Sequence, residues 1–143
     1  MISLDTAQLL RDAGLRWEPE AGDRFVITDP RTDDEVYVVS DMTIDVHRFS
    51  SGTVLGFNGT TEWALDSIEQ NRALWLPRES QLRALLGNTF QRFERAEAGG
   101  WRVELVVVGR PVTVLDLDAE QAYARALLVL ITGEEPPGSA STT

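Results

Sequence analysis

Residues 101–117, WRVELVVVGRPVTVLDL, hold two β-branched runs joined by a Gly-Arg-Pro turn, and no other stretch limits the fold as tightly. Valine at this density loses side-chain freedom in a helix and fits the pleated surface of a strand, so the segment predicts an antiparallel hairpin. Positions 105–108 are all apolar, and Val112, Val114 and Leu115 follow across the turn. A half-solvated hairpin alternates. This one does not, so cover on both faces is expected, from helices within the chain or from a second copy across a two-fold homodimer.

The neighbouring segments offer that cover. Asp118 caps a helix in which Gln121 reaches back to the cap, with Ala119, Ala122, Tyr123, Ala126, Leu127 and Leu130 on its apolar stripe. Upstream, TFQRFER adds a third strand, and a helix over 78–86 has Pro77 suited to its first turn. At the other end, Leu4, Ala7, Leu10 and Ala13 mark a helix over about 4–13, capped by Ser3 or Asp5 and stopped at Gly14. Strands are expected at 24–28 and in EVYVVSD, and MTIDVHRF alternates as a half-buried strand that SSG turns into TVLGF. A helix over 61–70 and a connector NRALWLP complete the order. The expected fold class is α+β, with antiparallel strands in two groups packed with three to four helices. One domain spans 1–133, and 134–143, GEEPPGSASTT without its first residue, is a disordered tail with too little apolar content to offset its ordering entropy. QLLRDAG…WE…AGDRFVI can be laid beside QLRALLG…FE…GGWRVEL, which reads more simply as two similar helix-strand units than as a duplication.

Composition acts by exclusion. The chain has no Cys, which removes disulfides and thiolate chemistry, and all thirteen basic residues are Arg, which removes lysine Schiff bases and the lysine-dependent phosphate loop. A net charge of -10 argues against capture of nucleic acid or an anionic membrane. An acidic mimic of nucleic acid would need carboxylates spaced along one elongated face. The N-terminal MISLDTAQLL has no basic region or long apolar run, and no stretch approaches the roughly 20 apolar residues of a membrane span, so a cytoplasmic location is expected.

LRDAGLRWEPEAGDRF, GFNGTTEWALDSIEQ, LWLPRESQLRALL and AYARALLVLITG together resemble a family of small bacterial proteins of uncharacterised activity, over about residues 1–133. Some members are labelled pilus assembly protein, and the spaced Gly-Leu-x-Trp, Trp-Leu-Pro and Ala-Leu-Leu elements look like small proteins of phage-like islands. The resemblance implies a cellular context and no chemistry. The pilus label belongs to ATPase-like localisation proteins whose phosphate loops depend on a lysine, and this chain has none. No catalytic or binding residue is carried over.

In GFNGTTEWALDSIEQ a phosphate would meet Glu62 in the first helical turn and Asp66 one turn on, so Thr60 or Thr61 as a cap after Asn58-Gly59 accounts for the residues better than an anion site. His47 is the one imidazole, and Asp45 shares its strand face, enough for a weak acid-base or metal pair and more simply a polar surface. The acidic run Asp29, Asp33, Asp34 and Glu35 departs from the calcium-loop pattern and reads as a solvated turn. Neither metal nor cofactor is expected. Trp17, Trp63 and Trp101 read as core anchors whose indole N–H groups reach backbone carbonyls. Trp75, flanked by Arg72 and Arg78 in a connector, is expected to be partly exposed; it reads first as core packing and is the candidate for a protein interface. The leading expectation is a non-catalytic protein-binding or accessory module of a larger bacterial assembly, and the alternative is a small enzyme using His47 with Asp45, or paired carboxylates, on a small molecule.

Overall fold

The computed structural model describes residues 1–28, 35–39, 45–49, 52–56, 67–69 and 72–134. In chain order they form α1 (Leu4–Asp12), β1 (Arg24–Ile27), β2 (Val36–Val38), β3 (Asp45–Phe49), β4 (Gly52–Gly56), β5 (Ser67–Glu69) and β6 (Ala73–Leu76). There follow α2 (Glu79–Leu86), a 3-10 turn (Gly87–Thr89), β7 (Phe90–Arg95), β8 (Trp101–Val107), β9 (Arg110–Asp116) and α3 (Ala119–Thr132). The fold class is α+β, with three α-helices among the described residues. The described strands form antiparallel three-stranded sheets, in the orders β2-β1-β6, β3-β4-β5 and β7-β8-β9. No helix among the described residues is long and apolar enough to cross a membrane.

The chain divides into two compact units, one made of Met1–Arg16 with Pro77–Thr143 and the other of Trp17–Leu76. The first is built around α3, which lies against β8 and β9 and has α1 and α2 packed beside it. Small residues permit this. Ala122, Ala124 and Ala126 are all buried, so neighbouring backbones approach closely while Tyr123, Leu127 and Val129 fill the remaining space. Burying Leu127 alone contributes about 1.5–3 kcal/mol. The buried set departs from the expected stripe, since Ala124 and Val129 are buried while Ala119 and Leu130 are only half-buried, because α3 has neighbours on more than one side.

Asp118 caps α3 as expected, accepting from the Gln121 backbone N–H at 2.9 Å. The Gln121 side chain does not return to that cap. Its Nε2 donates to Thr6 Oγ1, and its Oε1 accepts from the Ser3 backbone N–H at 3.1 Å, while Ser3 Oγ caps α1 by accepting from the Thr6 N–H at 3.1 Å. One carboxamide therefore joins the starts of two helices far apart in sequence. This places α1 in the same unit as β7–β9, whereas the strands that directly follow it belong to the other unit, so the first half of the chain is not a self-contained helix-strand unit.

In the second unit β1 is the central strand, with Phe25 opposite Tyr37 of β2 and Trp75 of β6. The expected connector NRALWLP is thus corrected: its Ala73–Leu76 portion is a strand, apolar throughout because Ala73, Leu74 and Leu76 are buried regardless of which side they face. The expected helix over 61–70 is overturned where it is described, since Ser67–Glu69 is a strand paired with β4, Ile68 opposite Leu55. Thr60, Thr61, Glu62, Trp63, Asp66 and the Asn58-Gly59 turn lie outside the described residues, as do Asp29, Asp33, Asp34 and the 135–143 stretch. The β3–β4 hairpin forms as expected, with His47 opposite Val54.

Candidate interaction surfaces

Trp17, Phe25, Tyr37 and Trp75 of the second unit share one cluster. Trp17, Phe25, Val39 and Ala73 are its buried members, with Ile27, Tyr37 and Trp75 packed against them half-buried. Trp17 stacks on Trp75 with ring centroids 6.4 Å apart, meets Phe25 at 5.4 Å, and Phe25 stacks on Tyr37 at 5.6 Å. The cluster encloses a buried acid. Asp23 Oδ2 accepts from Trp17 Nε1 at 2.9 Å and from the Glu20 backbone N–H at 2.9 Å, so the Trp17 indole is satisfied by a carboxylate rather than by the expected carbonyl. The Trp75 indole N–H is buried and finds no acceptor among the described residues.

Trp75 is partly exposed, with its ring packed against the aromatic cluster. Arg72 is exposed, and its carbonyl accepts from the Thr28 N–H at 2.7 Å and from Thr28 Oγ1 at 2.8 Å, which ties the start of β6 to the end of β1. Arg78 is half-buried in the other unit as the N-cap residue of α2, its N–H donating to Gln81 Oε1 at 2.9 Å. What the second unit does present is β2. Among the described residues β2 pairs with β1 alone, and its Val36 and Val38 are 40% and 60% exposed. A strand edge with exposed β-branched side chains is a surface on which a further strand can form. The sequence signal was the run EVYVVSD itself, read there only as a strand.

Asp45 and His47 occupy β3, two residues apart in its sequence. Among the described residues no three His, Asp or Glu side chains group as metal ligands would.

The remaining surface is the second face of the β7-β8-β9 sheet. Its first face carries Phe90, Phe93, Val103, Leu105, Val112 and Val114 beneath α3, and Phe93 stacks on Tyr123 at 5.0 Å. The other face was expected to need apolar cover, and it does not. Arg92 sits opposite Glu104 with Nε to Oε2 at 3.0 Å, and Glu94 sits opposite Arg102 with Oε1 to Nη1 at 2.9 Å. Of the apolar run at 105–108, Leu105 points inward, Val106 outward, and Val108 leaves the sheet at the turn, 100% exposed. The signal for the charged face was present in the sequence as Arg-Phe-Glu in one strand and Arg-Val-Glu in the next, which antiparallel pairing sets in opposite order.

Comparison of the chain with protein-family models, with curated proteins and with solved structures finds no match.

Proposed function

We propose that the chain is a non-catalytic protein-binding module, an accessory component of a larger bacterial assembly, that takes an extended segment of a partner onto the edge of β2. The observation that carries this reading is the exposure of Val36 and Val38 on a strand that pairs on one side among the described residues. Strand addition derives its affinity from main-chain hydrogen bonds and its selectivity from alternate side chains, and two valines on one face supply the latter. The acids around this strand in sequence, Asp33, Asp34, Glu35 and Asp41, favour a segment flanked by Arg or Lys. Trp75 and Arg72 serve it from behind, as packing and anchorage of β6 beside β1. The account needs no metal or cofactor, and a cytoplasmic location suits a chain of this charge.

Affinity capture from the host with the native chain and with Val38→Asp tests the reading. A protein retained by the native chain and lost from the variant supports it, and an identical recovered set contradicts it. The alternative, a small enzyme using His47 with Asp45 or paired carboxylates on a small molecule, draws on their spacing of two residues within β3. It requires that His47→Ala abolish turnover of a small molecule while leaving the captured set intact.

A further inference from the structure

We infer that the outer face of the β7-β8-β9 sheet is where a second copy of this chain docks, face to face, about a two-fold axis running across the strands between the Arg92–Glu104 row and the Glu94–Arg102 row. This surface is distinct from the β2 edge and stands independently of the function proposed for it.

Four charged side chains form a checkerboard there, Arg92 and Glu94 on β7, Glu104 and Arg102 on β8. Rotation about the stated axis keeps each strand over its counterpart and exchanges the rows. Arg92 then meets Glu94 of the second copy, and Glu104 meets Arg102, so every charge faces its opposite. The same rotation acts on β9, whose outward positions are Pro111, Thr113 and Leu115. Thr113 meets Leu115, and Pro111 meets position 117. That position is Leu117, in the bend one residue past β9, and it is 84% exposed. Pro111 is exposed too. An exposed leucine at one end of the face thus receives an exposed proline from the other end, and one operation matches both the charged and the apolar positions. A patch that matches itself in this way is what an isologous contact requires.

The charge of the whole chain favours a second copy on this face. At a net charge of -10, two copies repel wherever the excess acid lies, whereas the two Arg and two Glu of the checkerboard sum to zero. The contact is small. A three-stranded face seven residues long covers about 340 Å² in outline, below the roughly 800 Å² per partner of a standard interface. The expected dimer is therefore weak and its charged part is screened by salt.

Sedimentation equilibrium from micromolar to submillimolar protein tests this on the full chain and on the double variant Glu94→Arg with Arg102→Glu. The exchange keeps the net charge and the cross-strand ion pair within one chain, so the thermal midpoint is expected to stay in place. Across the axis it sets guanidinium against Arg92 and carboxylate against Glu104. The expected result is a concentration-dependent dimer of the native chain, weakened by salt, and at least about tenfold weaker association of the exchange variant. A native chain that stays at its 15.9 kDa mass throughout overturns the inference, and so does an exchange variant that associates as well as the native chain. If the exchange disturbs folding, Leu117→Asp decides on the same terms, since that side chain is too exposed to bear on the core.

Discussion

Tyr123 carries its hydroxyl into the interior of the first unit, where it is buried beside the Arg83 guanidinium without a well-formed hydrogen bond among the described residues. Its ring lies between Phe93 at 5.0 Å and Phe90 at 5.8 Å, and the Arg83 guanidinium stands over it, 5.9 Å from the centroid. Burial pushes the phenol above its ordinary range, and Arg83 offsets part of that rise. The folded state thus prefers the neutral phenol, while the unfolded chain ionises it from about pH 10 upward. Stability from this group is fully present below that pH and is lost as pH rises through the folded-state value. Tyr123→Phe is expected to stay close to native stability near neutral pH, because the buried hydroxyl it removes meets only the Arg83 guanidinium without a well-formed hydrogen bond, and to fall off less steeply above about pH 10. Thermal melts of both proteins across the alkaline range check this, and a difference independent of pH contradicts it. Asp23 illustrates what a sequence conceals at this scale. That Trp17 would anchor a core follows from its size and apolar body, but which group would accept its N–H depended on the turn that brings residue 23 back beside residue 17.

The β8–β9 hairpin turns through Val108 and Gly109, with φ of 49° and 74°. Two positive φ values in succession suit the right-handed twist of the strands, and a β-branched residue there is strained. Val108 is fully exposed, so replacing it loses no packing. Val108→Asn is expected to stabilise the chain by about 1 kcal/mol, read as a higher urea midpoint at unchanged slope; an unmoved or lower midpoint contradicts the strain. At the hairpin's other end Gly100, with φ of 77°, lies so close to Asp116 that a Cβ would come within 2.5 Å of its carbonyl oxygen. Elements with long, consistent patterns were legible: α1, α2, α3 and β7–β9 fall within a residue or two of expectation. Short elements were not. Ser67-Ile68-Glu69 fits either a helix end or a strand by its own residues, and pairing with β4 decided it. Ala73–Leu76 lacks alternation because it is a buried strand, and next to Pro77 that pattern resembles a connector. The hairpin's four consecutive apolar residues suggested two apolar faces, yet the run crosses from strand into turn, so only Val106 faces outward.

At the scale of the whole chain the excess acid and the absence of lysine and cysteine removed classes of function without choosing one. The two compact units were not legible, because what joins α1 to the β7–β9 unit is packing and the Gln121 carboxamide, neither of which leaves a local pattern. The surfaces that stand out follow from pairing order. Among the described residues β2 pairs with β1 alone, and β7–β9 sets its Arg-x-Glu triplets in opposition. The central claim is that partner binding is seated on the β2 edge. Hydrogen exchange of the chain, free and in the complex captured from its host, tests this most directly. The account predicts that amides at 36–38 exchange markedly more slowly in the complex while those at 45–49 are unchanged. Unaltered exchange at 36–38 alongside new protection at 45–49 would contradict it.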